Sequence, residues 1–296
     1  MAFVCGKKRV PKPAAAMTAF LTFCVLIRQL YHEHFWQLLY NVLSVQSSNM
    51  EFVAGTEETQ DEAGFLELLA NDLEPFQVPR LPYHNWDEHI QGGMAVIEKV
   101  CTDANAKGRK VNTFMTQVAY LGHDAGYAHD LLEPDVWREH GSKEAYSAHI
   151  MGVLLHGYGM DDDFIAGVQT CIMFTKMDEQ LPEDISEELA DTAMAVRTVD
   201  LFNIFGSYRG FLINSFKLME EDRIYGRERS LSDFKKVTSF VLGNFLDTDF
   251  IPSGNCQIVD ALNNVERFMK DTPTRLQRVL GAYASRFSDF LQKDAA

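Results

Sequence analysis

The chain has 296 residues, 46% of them apolar, and a formal net charge of −15. Such a chain can bury a sizeable core as one large domain or two small ones, which excludes a disordered polypeptide. The acidic balance argues against binding to a nucleic-acid backbone, which needs a basic surface, but admits a small phosphorylated substrate where a metal ion supplies local positive charge.

The first 49 residues differ from the rest. They carry Lys7, Lys8, Arg9, Lys12 and Arg28 against a single acid, Glu33, and residues 13–27 hold no charge at all. A basic start followed by an apolar run resembles a signal or anchor, but 15 residues fall short of the roughly 20 that span a bilayer. The stretch is read as a leader outside the fold or an extra helix, with membrane association through residues 13–27 as the alternative. Cys5, Cys24, Cys101, Cys171 and Cys256 are odd in number, scattered and without a CxxC. They read as reduced thiols of a cytoplasmic protein.

From residue 60 the periodicity is helical. Residues 64–73 form a short amphipathic helix, and Pro75, Pro79 and Pro82 then impose an extended lead-in. A helix is expected from Trp86 to about Val100. Asn112 or Thr113 caps the next, Ser142 another, and three acids open a helix at 161–175. Ser186 precedes a long apolar-faced helix, and two more are expected at about 230–246 and 257–292. With no alternating pattern, repeat or linker, the simplest architecture is one all-α domain over residues 60–292.

Seven of the nine histidines fall between residues 84 and 156. His123 and Asp124 are adjacent at the end of an apolar-faced helix. By themselves they read as a helix-terminal histidine and a turn aspartate. Asp200 adds weight, because Val196 and Ala193 place it on the buried face of its helix. A carboxylate there needs a partner, either an arginine such as Arg197 or Arg209, or a metal ion.

His89, then His123-Asp124, then Asp200 resembles the ligand order of the HD-domain superfamily of metal-dependent phosphohydrolases. Tyr83-His84-Asn85 is similar to the Tyr-His-Asn of cyclic-nucleotide phosphodiesterases, and residues 143–151 resemble the Glu-x-x-Ser-Ala stretch of small bacterial members. The resemblance covers residues 80–215. It implies a helical bundle around a central cleft, with a divalent ion (zinc, manganese, iron, nickel or magnesium) polarising a phosphoryl oxygen and activating water. It also implies His89, His123, Asp124 and Asp200 as ligands, Asp124 being catalytic as well.

His84 and His89 are five residues apart, about 140° around a regular helix, so they cannot share a face. This puts His84 in the pre-helical segment as proton donor or phosphate contact, and His89 one turn into the helix; the reverse assignment is the alternative. Asn85 and Tyr127 are candidate substrate contacts, as are His140 and Glu144, read as i, i+4 neighbours. No histidine lies between His156 and Asp200, which favours one metal. The expected function is hydrolysis of a nucleotide or other small phosphate mono- or diester. The alternatives are a non-catalytic nucleotide- or metal-binding sensor signalling through the tail helices, and a di-iron oxygenase. Oligomeric state is not legible.

Overall fold

Short polar side chains that take up free backbone N–H groups mark where the helices begin. Asn112 accepts from Met115 N at 2.9 Å, and Asp161 from Phe164 N at 2.8 Å. Ser142 and Ser186 accept from Ala145 N and Leu189 N, each at 3.1 Å. The computed structural model describes residues 58–76, 81–127, 139–202, 207–245, 247–252 and 256–293. Its helices are α1 (Glu58–Leu73), α2 (Gln91–Ala106), α3 (Thr113–Gly122), α4 (Lys143–Gly157), α5 (Asp162–Met173), α6 (Glu187–Phe202), α7 (Tyr208–Ile224), α8 (Leu231–Phe245), α9 (Cys256–Lys270), α10 (Pro273–Leu280) and α11 (Ser288–Lys293). No strand occurs among the described residues, and the fold is all-α. Leader residues 1–49, including the apolar run 13–27, lie outside the described residues. None of the described helices is long and apolar enough to cross a membrane.

The chain divides into two compact units, Met1–Leu68 with Gly157–Gly159, and Leu69–His156 with Met160–Ala296. The second holds everything that follows. In it α3 packs against α2, α5 and α6, and α6 also packs against α2 and α5. Ile97, Val100 and Ala104 of α2, Tyr120 of α3, Ala195 and Val199 of α6, and Phe250 form one buried cluster. A second cluster belongs to the tail: Phe211 and Phe216 of α7, Phe234 of α8, Phe268 of α9, Leu276 of α10 and Phe290 of α11. Each such side chain contributes about 1.5–3 kcal/mol on burial. Tyr83 joins this second cluster, so the segment before α2 is seated on the tail helices.

Helix α7 has no counterpart in the pattern read from sequence. Its buried positions include Ser215, Lys217 and Glu221 beside Phe211, Leu212, Phe216 and Met219, and these polar members dilute the apolar periodicity. The single helix expected at 257–292 is broken. Thr272 caps α10 with Pro273 in its first turn, and Gly281 ends it at φ +57°, which a non-glycine residue rarely adopts.

Candidate metal centre

His89 is placed by an unusual first turn. Asn85 caps a π-helical turn, Trp86–Ile90, that runs into α2, and Ile90 N donates five residues back to Asn85 O at 3.3 Å. The wider π turn puts His89 against the bundle interior while His84 stays before the cap. The Tyr120 hydroxyl donates to His89 O at 2.8 Å. This close crossing of α2 and α3 requires Gly93, because a Cβ there would lie 2.0 Å from the Tyr120 oxygen.

His123 follows α3 directly. Its Nδ1 donates to Tyr120 O at 2.6 Å, so Nε2 faces inward with its lone pair available. Asp124 is held by Lys143, whose Nζ lies 3.2 Å from Oδ1, and its Oδ2 is buried without a hydrogen-bond partner. Asp200 enters from α6. Arg197, one of the arginines weighed as its partner, is used elsewhere: it donates to the carbonyls of Phe174, Lys176 and Glu179.

These four side chains meet. His89 Nε2 lies 3.2 Å from His123 Nε2, 3.1 Å from Asp124 Oδ2 and 3.2 Å from Asp200 Oδ1. His123 Nε2 lies 3.2 Å from each of the same two carboxylate oxygens. All the ligand atoms fall within 4.8 Å of one another. A point equidistant from atoms with such edges is about 2.0 Å from each in a tetrahedral arrangement and about 2.3 Å in an octahedral one, the range of first-row metal bonds to imidazole and carboxylate. Two protons cannot serve five such contacts; one divalent ion can. The orphaned Asp124 Oδ2 and the inward Nε2 of His123 therefore fit a metal, and the group can hold one.

The electrostatics agree. Burial opposes charge on both histidines, yet the Asp124 and Asp200 carboxylates overcome it, raising the His89 pKa and pushing His123 up to about 10. Burial likewise opposes charge on the carboxylates, but His123 holds Asp200 well below the usual range, and His123 with Lys143 does the same for Asp124. The folded centre demands positive charge, which protons supply when no cation does.

Beside it stands His84. Its ring centroid is 5.2 Å from that of His89, and it stacks on Tyr127 at 4.4 Å. Glu221 of α7 accepts from His84 Nδ1 at 2.5 Å, from His84 N at 2.7 Å and from Tyr83 N. Lys217, also of α7, pairs with Glu88 in the π turn. The tail thus fixes the segment that carries both histidines.

Asn85 caps the π turn, accepting from Glu88 N and donating toward the carbonyls of Leu81, Pro82 and Tyr83. His140 and Glu144 do not share a helical face, because Gly141, at φ +90°, separates His140 from the start of α4. The His140 ring lies 4.8 Å from those of Tyr146 and His149, while Glu144 is buried beside Lys143 at 3.3 Å. No sequence signal marks Glu221 or Lys143: Glu221 lies in α7, where no helix is expected, and Lys143 appears only as the first residue of the 143–151 resemblance. No family model, curated protein or solved structure matches this chain.

Proposed function

We propose that this chain is a metal-dependent phosphohydrolase acting on a small phosphate mono- or diester, such as a nucleotide. The observation that carries the reading is the convergence of His89, His123, Asp124 and Asp200 beside a histidine, His84, whose far nitrogen is held by a carboxylate. A divalent ion bound by these four residues supplies Lewis acidity toward a phosphoryl oxygen and toward water.

The chain's own residues do the rest. Lys143 keeps its charge at the edge of the centre, where Asp124, Glu144 and the Tyr127 ring surround its Nζ, and offers a cation to an anionic phosphoryl group. Glu221 accepts the Nδ1 proton of His84, which turns Nε2 toward Tyr127 and the open side of the site, with the tyrosine hydroxyl 3.5 Å away. From there His84 donates a proton to the leaving oxygen as the ester bond breaks. Asp124, which is buried, and Asp200, whose side chain is 16% exposed, bring negative charge that balances the ion.

The test is turnover of bis(p-nitrophenyl) phosphate, p-nitrophenyl phosphate and a nucleotide panel by the full chain, before and after chelation. Hydrolysis that stops on chelation and returns with one of zinc, manganese, iron, nickel or magnesium supports the reading. Absence of turnover with every ion and ester would remove it, leaving the sensor alternative.

A further inference from the structure

A cavity of about 290 Å³ opens next to the metal centre, and His84 and Tyr127 belong to its wall. Apart from Met177, the rest of the lining comes from the tail. Leu218 of α7 and Phe234 and Val241 of α8 make it apolar, and Phe234 is itself 5% exposed. This wall also includes a buried serine hydroxyl. Ser215 is 1% exposed, lines the cavity, and its hydroxyl has no hydrogen-bond partner. A buried serine inside a helix ordinarily bonds back to its own backbone or to a neighbour; this one is left for an occupant.

Arg227 and Arg229 share one carboxylate, Asp222, at 3.6 and 3.4 Å, while Glu221 is taken by His84, so the two arginines carry one positive charge more than Asp222 neutralises. The cavity's volume is at the small end of the roughly 300–1,000 Å³ typical of ligand pockets, enough for one compact ring system and too small for a polymer.

Resting on the hydrolase reading above, we propose that this cavity receives the organic group of the ester, and that the substrates are phosphate esters of compact aromatic or bulky apolar groups bearing at least one polar atom. The phosphoryl group would lie on the metal side of His84 and the ring on the tail side, with Ser215 bonding its polar atom. The aromatic walls suit a planar group, which packs edgewise against Tyr127 and against Phe234.

The experiment uses phosphonates, which cannot be hydrolysed. Binding of 1-naphthylmethylphosphonate and of methylphosphonate to the metal-replete full chain is measured by calorimetry, for the wild type and for Val241→Trp and Val237→Trp, two substitutions that fill the cavity from α8. The expected result is at least tenfold tighter binding of the naphthyl probe by the wild type. That preference should disappear in at least one filled variant whose helical circular dichroism is intact, with methylphosphonate affinity unchanged. Equal affinity for the two probes, or a preference that survives in both filled variants, overturns the proposal. Turnover is not read here, so the two readings fail separately. A naphthyl preference in a chain that hydrolyses no ester would sink the hydrolase and keep the pocket; hydrolysis without the preference would do the opposite.

Discussion

Replacing Glu221 by Gln isolates what α7 contributes to the chemistry. The glutamine keeps an oxygen for Tyr83 N and His84 N but removes the negative charge that faces His84 Nδ1 at 2.5 Å. Two unit charges about 4 Å apart interact by about 4 kcal/mol at an effective dielectric constant of 20. Glu221 is buried but His84 is 14% exposed, and desolvation offsets part of the attraction, so roughly 1.5–3 kcal/mol is expected for a charge-assisted bond of this kind. That energy holds His84 in its oriented, donor-competent form, and depleting this form by that amount lowers kcat by about 10- to 100-fold. Removing the proposed proton donor itself, in His84→Ala, should cost about 10²–10⁴-fold. The assay compares an alkyl phosphate ester with a p-nitrophenyl ester, whose leaving group needs little protonation. Both variants should be slow on the first and close to wild type on the second, and the double variant should be no slower than His84→Ala, because Glu221 acts through His84. Equal losses on the two esters, or multiplicative losses in the double variant, would refute the reasoning.

Two further outcomes follow from the same geometry. Gly93→Ala should destabilise the chain by about 1–3 kcal/mol and weaken metal binding, because the new methyl meets the Tyr120 hydroxyl that holds His89 O; chemical denaturation with a metal titration checks both. The metal-free protein should lose stability as pH rises. His123 has a folded pKa raised to about 10 from 6.5, so its contribution is complete below about 6.5 and gone once pH passes about 10; melting temperatures at pH 6.5, 8 and 10 should fall in that order, and an unchanged value would contradict the assignment.

How much of this was legible in the sequence depends on what each residue does. The four ligands carry their signal in residue type and order, and Asp200 adds that of a carboxylate on a buried face. The caps at Asn112, Asp161, Ser142 and Ser186 are local chemistry, readable within four residues. Glu221 and Lys217 are different. They lie on a helix whose apolar pattern is broken by the very groups that reach back to His84 and Glu88, over more than a hundred residues of chain. Functional polarity on a buried face hides the helix and the function together. Asn85 is ambiguous in sequence for the converse reason: a cap and a substrate contact call for the same amide. The π turn was invisible as such, though the five-residue spacing of His84 and His89 was its trace.

The most direct test of the central claim is metal content. The chain should be loaded with an excess of zinc or manganese, freed of unbound ion and analysed by elemental mass spectrometry, alongside Asp124→Ala, His123→Ala and His84→Ala. One equivalent per chain is expected for the wild type and for His84→Ala, and far less for the two ligand variants, because each loses a group at the shared point while His84 lies outside it. A wild type that retains no ion, or ligand variants that retain as much as the wild type, would contradict the account.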